Sequence, residues 1–212
     1  MNKYIDSTLL KPATYKDIER LCEDAIKYDF ASVCILPCYV AFAKKLLEGS
    51  DVKVCTVIGF PLGGHIGDVK LYEAIRAQKD GADELDMVVN QQDFLNGEYD
   101  KIISEINVIK DTTNLTLKVI IETSLLTHEQ ITKMCDIINK SHADFIKTST
   151  GFVGEGAKVE HVSLMSSLMQ DGKKVKASGG IRTRSDAQKF ISAGATRIGT
   201  SNAVAIMEDA GI

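Results

Sequence analysis

The sequence predicts an α/β protein, a single-domain (β/α)8 barrel of the TIM type spanning residues 1–212. Three observations predict it: short β-branched runs recur eight times, helical periodicities fill the intervals, and no Pro- or Ser-rich linker divides the chain. The runs are "YIDS", "ASVCIL", "VKVCTVIGF", "ELDMVV", "LKVIIE", "DFIK", "KVKAS" and "TRIGT". Their starts lie roughly 20 to 35 residues apart, about the length of one βα unit. Eight such units in one domain fit a closed barrel. An open doubly wound sheet fits less well, because no G-x-G-x-x-G follows the first run and the glycines of "GFVGEG" come late.

The intervals read as amphipathic helices. Ile18, Leu21, Cys22 and Ala25 fall at i, i+3, i+4, i+7, as do Ile131, Met134, Cys135 and Ile138. Each set forms one apolar stripe that can pack on a sheet. Thr127 with Gln130 reads as a capping box. Gly81 and Gly194 stand where a helix ends in a left-handed residue.

Composition excludes several classes. With 212 residues, 44% hydrophobic and 25% charged, the chain is an ordinary globular domain with a full core. A net charge of -4 offers no footprint for nucleic acid or an anionic membrane. No apolar run approaches the roughly 20 residues needed to span a bilayer. "MNKYIDSTLLKP" lacks the apolar core of a signal peptide, so a cytoplasmic location is expected. Five cysteines without C-x-x-C spacing read as reduced, mostly buried thiols, Cys34 being one that packs. The four histidines are scattered, so neither a metal nor a cofactor is expected.

A barrel draws its active site from the C-terminal ends of its strands. Those ends read Asp6, Cys34, Asp86, Glu122, Lys147, Lys176 and Ser201. Alternation puts Phe145 and Lys147 on one face, so a barrel-filling Phe145 would turn Lys147 inward. Lys147 and Lys176 are 29 residues apart, one βα unit, and belong on adjacent strands. A free lysine, with a pKa of about 10.4, is no nucleophile at neutral pH. A second ammonium within about 4 Å interacts at roughly 4 kcal/mol for an effective dielectric near 20. That can lower one amine's pKa by about 3 and free it to attack a carbonyl. Asp86 could then orient the pair and relay protons through water. The plainer alternative is a solvated charge at a strand end.

"ASGGIRT" and "RIGTSNA" follow the seventh and eighth runs, where barrels often bind phosphate. Gly179, Gly180, Gly199 and Ser201 are the candidates, tight turns needing positive φ being the alternative. "FPLGGHIGD", residues 60–68, reads either as a loop over the mouth or as a turn capped by Asp68.

In this order, "YIDSTLLKP", "VCTVIGFP", "GADELDMVVN", "LKVIIET", "FIKTSTGF", "VKASGGIRT" and "IGTSNAVAIM" resemble the 2-deoxyribose-5-phosphate aldolase family over nearly the whole chain. The resemblance implies a metal-independent class I aldolase. It would cleave 2-deoxy-D-ribose 5-phosphate to acetaldehyde and D-glyceraldehyde 3-phosphate in deoxynucleoside breakdown. It implies Lys147 as the Schiff-base lysine, with Lys176 and Asp86 in proton transfer. Asp6 and Thr150 match positions near the substrate, and the two glycine segments match the phosphate site. Family members are often dimers, so a homodimer is the expected assembly. The sequence departs from the family at Phe152, where some members carry a lysine, at Lys158, where a threonine is common, and in "FPLGGH". Another Schiff-base aldolase or a phosphosugar isomerase on the same barrel is the nearest rival, and a phosphosugar-binding barrel without catalysis is the alternative of a different class.

Overall fold

The structure, a computed structural model, describes residues 1–209. All eight runs form strands: β1 Ile5–Leu9, β2 Ser32–Ile35, β3 Lys53–Ile58, β4 Glu84–Val88, β5 Thr116–Ile120, β6 Phe145–Lys147, β7 Lys174–Ser178 and β8 Arg197–Thr200. They pair in parallel in chain order, and β8 closes on β1 with Asp6 opposite Gly199. The helices are α1 Tyr15–Lys27, α2 Val40–Leu46, α3 Gly67–Lys79, α4 Gln91–Leu95, α5 Tyr99–Thr113, α6 His128–Lys140, α7 Val159–Leu168, α8 Arg184–Ser192 and α9 Ala203–Glu208. Among the described residues no helix is long and apolar enough to cross a membrane.

The two faces of the barrel differ in chemistry. Outward residues such as Val33, Leu85, Val119, Ile146 and Ile198 join the helix stripes in one continuous apolar core. Ile131, Met134, Cys135 and Ile138 are all buried in it, and so are Ile18, Cys22 and Ala25, while Leu21 is half-buried. Complete burial of such an aliphatic side chain stabilises by about 1.5–3 kcal/mol. The inward face instead carries Asp6, Glu84, Asp86, Lys118, Lys147 and Lys176, all buried. This polar interior is the material of the site.

The helix ends follow local chemistry. The Thr127–Gln130 capping box forms, and Thr14 with Asp17 makes a second one on α1. Gly81 and Gly194 both take φ of 104°, as helix termination there requires. Asp68, the cap in one of the two readings of residues 60–68, lies in the first turn of α3, behind Ile66 at the N-cap. There its carboxylate can act only on the helix dipole.

Candidate active site

Lys147 ends β6, and its inward orientation follows from Phe145 two residues below. Phe145 is buried, with the cationic groups of Lys118, Lys174 and Arg197 at 5.9, 5.6 and 5.6 Å from its ring centre. The lysine side chain above it is 3% exposed. Lys176 is its partner in register on β7. The two amines meet at one atom: Asp86 Oδ2 lies 2.6 Å from Lys147 Nζ and 2.7 Å from Lys176 Nζ.

Asp86 and Lys176 sit in the middle of β4 and β7 rather than at their ends. Asp6 needs a larger correction. It is the second residue of β1, which runs on to Leu9, so it lies beneath the mouth. There it accepts from Ser32 Oγ at 2.7 Å and pairs with Lys176 at 2.5 Å and Arg197 at 2.6 Å. Barrel interiors are layered, and these polar groups belong to a lower layer than strand-end reasoning assigns.

Three members of that layer escape the sequence reading. Lys118 pairs with Glu84 at 2.5 Å and with Asp86 Oδ1 at 3.1 Å, and Arg197 reaches Glu84 at 3.1 Å. The available signal was parity: Glu84 shares a face with Asp86, and Lys118 shares one with Ile120.

These contacts fix the charge states. Burial alone would raise the Asp86 carboxyl, but Lys118, Lys147 and Lys176 together hold it well below the usual carboxylate range. Asp6 is likewise held low against burial by Lys176, Lys118 and Arg197. Lys176 is raised: burial opposes its charge, and Asp6 with Asp86 more than restores it.

Cys34 does more than pack. Its sulfur lies 3.8 Å from Asp86 Oδ2, and Cys55 Sγ donates to Oδ1 at 3.2 Å. The neighbouring Cys55 side chain lowers the Cys34 thiol, while burial raises Cys55 well above its usual range. Cys34, Cys55 and Asp86 are the one metal-sized group among the described residues. The carboxylate of that group already holds three ammonium ions, which compete with a cation for the same oxygens.

Above Lys147 a cavity opens, and Thr150, Gly179, Gly180, Gly199 and Ser201 are among the residues that line it. Gly199 is a strand residue without positive φ; a Cβ there would stand 3.2 Å from Lys176 Cε. Gly179 and Gly180 do adopt positive φ, 89° and 78°. Lys11 and Arg182 also face the cavity, and no carboxylate lines it. Such a lining suits an anionic substrate. Two mouth loops touch through glycines: a Cβ on Gly156 would lie 2.1 Å from Gly179 O. Phe152 closes one side, edge-on to Phe60 at 5.2 Å, which ties the segment 60–68 to the mouth. Lys158 occupies the N-cap of α7 without capping it and pairs with Glu155 at 2.8 Å.

Fold and site together have the character of a barrel lyase that works on a carbonyl compound through a buried amine. The chain belongs to the DeoC/LacD family of aldolases, whose family model matches residues 2–207. It is 52% identical over 210 residues to a deoxyribose-phosphate aldolase of Metamycoplasma arthritidis, covering 98% of this chain and 97% of that one. A second such aldolase, of Finegoldia magna, is 51% identical over 210 residues, covering 98% and 99%. Among solved structures, the deoxyribose phosphate aldolase of Aeropyrum pernix, described as tetrameric, superposes with a TM-score of 0.91 at 38% identity, covering 98% of this chain and 89% of that one.

Proposed function

We propose that the protein is a deoxyribose-phosphate aldolase, cleaving 2-deoxy-D-ribose 5-phosphate reversibly to acetaldehyde and D-glyceraldehyde 3-phosphate through an imine on Lys147. The observation that carries this reading is one carboxylate oxygen holding both lysine amines beneath a cavity faced by cations. Lys147 Nζ attacks C1 of the open-chain sugar, and water leaves as the iminium forms. The C3 hydroxyl then loses its proton and the C2–C3 bond breaks, its electron pair passing into the iminium. Glyceraldehyde 3-phosphate departs and an enamine of acetaldehyde stays on Lys147. A proton delivered to C2 regenerates the iminium, which water hydrolyses to free acetaldehyde and the amine.

Lys176, kept charged by Asp6 and Asp86, stands beside the Lys147 amine as a fixed positive charge that orients the proton relay. Asp86, kept ionised, orients both amines and passes protons through water. Phosphate would sit at Gly179, Gly180, Gly199 and Ser201, with Thr150 beside the sugar and Asp6 supporting from below through Lys176. Much of the rate would come from this preorganised, poorly hydrated environment. Under this reading residues 1–212 form one catalytic domain that acts in the cytoplasm on small phosphosugars and aldehydes, as a homodimer, without metal, cofactor or nucleic acid.

Borohydride reduction in the presence of acetaldehyde, followed by peptide mass mapping, tests the assignment. The expected adduct is on Lys147. An adduct on another lysine, or a Lys147→Ala protein with full cleavage activity, overturns it.

A further inference from the structure

Beneath Lys147 the ion pairs close on themselves. Asp86 meets Lys118 at 3.1 Å, and Lys118 meets Glu84 at 2.5 Å. Arg197 bridges Glu84, at 3.1 Å, to Asp6, at 2.6 Å. Lys176 joins Asp6, at 2.5 Å, back to Asp86, at 2.7 Å. Three cations thus alternate with three carboxylates in a ring drawn from β1, β4, β5, β7 and β8. Every cation in the ring touches two carboxylates. Lys147 touches one, Asp86, and shares its Oδ2 with Lys176.

We propose that this ring sets the charge of the nucleophile: it is neutral without Lys147, so the interior most readily gives up the proton of Lys147, and Glu84, Lys118 and Arg197 tune the reaction without touching substrate. The inference rests on Lys147 being the imine-forming amine and deepens that reading.

The physical ground is the requirement that buried charge be paired. Deprotonating a ring cation leaves two carboxylates short of a partner. Deprotonating Lys147 leaves Asp86 with Lys118 and Lys176 still bound. Of the other groups facing Lys147, Glu122 attracts the amine, and burial raises the Glu122 carboxyl, which weakens that pull. Glu122, from the loop after β5, spends Oε2 on the N–H and hydroxyl of Thr150. Cys34 on β2 and Cys55 on β3 lean on Asp86 itself, the carboxylate that the ring already satisfies. Lys176 on β7 and Lys118 on β5 are ring members, and Asp6 and Arg197 act through them.

The ring predicts shifts of opposite sign. R197Q removes a cation and leaves an uncompensated carboxylate, so Lys147 should hold its proton more firmly. The acidic limb of the kcat/KM profile should then move to higher pH by roughly one unit. K118Q carries the same expectation and serves if R197Q does not fold. E84Q removes a carboxylate and should move the limb to lower pH by a similar amount. R197K, which keeps the charge, and the double variant E84Q/R197Q, which restores the balance, should both leave the limb near its wild-type position.

A merely structural role would lower the rate at all pH values or move the limb in one direction for every variant. Either result overturns the proposal. Acetaldehyde trapping on wild-type Lys147, run alongside, separates the two failures. Without that adduct the aldolase reading falls. With the adduct but without opposed shifts, only the ring proposal falls.

Discussion

Glu122 Oε2 accepts two hydrogen bonds from Thr150, from its backbone N–H at 3.1 Å and from its hydroxyl at 2.5 Å. Thr150 Oγ1 in turn accepts from the Phe152 N–H at 3.1 Å. Glu122 is thus the buried carboxylate that anchors the start of the mouth loop after β6, beside the contacts of that loop with Ser124 and Ser178. Glu122 takes φ of 52° to reach it, a left-handed conformation that costs about 1–3 kcal/mol in a residue with a side chain. Glu122→Ala should raise KM for the sugar phosphate about tenfold, since leaving buried partners unsatisfied costs about 1–3 kcal/mol. Trapping of the imine on Lys147 should persist. Glu122→Gln should stay close to wild type, because one carbonyl oxygen can accept both bonds. Steady-state kinetics of the two variants check this.

Lys11 and Arg182 bring the cavity two positive charges. If they face the phosphate, their loss should fall on the phosphorylated substrate. Arg182→Gln is expected to raise KM for 2-deoxyribose 5-phosphate by about 10-fold or more, as one charge-assisted hydrogen bond is worth about 1.5–3 kcal/mol. Turnover of unphosphorylated 2-deoxyribose should change little. Lys11→Gln should show the same pattern more weakly, being the more flexible and more hydrated cation. Comparable losses on both substrates would remove these residues from the phosphate site.

Asp6 and Asp86 make the barrel acid-sensitive. Both carboxyls titrate below their unfolded values, so the folded state binds fewer protons than the unfolded chain in the acid range. Their contribution is present above the unfolded pKa of about 3.9 and is lost as pH falls below it. Each group removes about 1.4 kcal/mol per pH unit in that window. The urea midpoint should therefore be flat with respect to these groups down to about pH 5 and fall steeply below pH 4. Asp86→Asn should flatten the acid slope by one group's share, while lowering stability at pH 7 by unbalancing its three lysines.

These effects also show which parts of the molecule the sequence reveals. Eight apolar runs at βα spacing are a coarse signal that survives errors of several residues, so the barrel and its strand order are legible. Lys147 is legible as well, because the strand is short and Phe145 sets its parity. Lys118 and Arg197 are not. Lys118 alternates with the outward-facing Leu117 and Val119, but a lone lysine between apolar neighbours names no partner until Glu84 and Asp86 are placed beside it. Arg197 opens its strand and looks like a solvated charge until Asp6, on the adjacent β1, and Glu84, across the barrel on β4, are placed against it. Asp6 reads as a strand end because "YIDS" gives no sign that β1 continues through Thr8 and Leu9. Ion pairs inside the barrel join residues up to 191 positions apart, a relation that local periodicity does not encode.

His161 provides a pH response far from the chemistry. Its ring lies edge-on to that of His128 at 5.3 Å, and its Nδ1 is buried without a hydrogen-bond partner. Burial lowers the imidazole below its ordinary value of 6.5, and His128 and Lys158 add to the effect against the opposing pull of Glu160. Between the lowered folded value and 6.5 the unfolded chain binds more protons than the folded one, so stability rises with pH through that window. His161 therefore contributes fully above about pH 6.5, and its contribution fades as pH falls below that value. Between pH 7.5 and 5.5 the wild-type protein should lose about 1 kcal/mol or less from this residue. His161→Phe keeps a ring in the same space and cannot charge, so it should abolish that part of the loss. Urea midpoints for the two proteins at both pH values decide the matter: an identical pH dependence would show that His161 is not the group responsible.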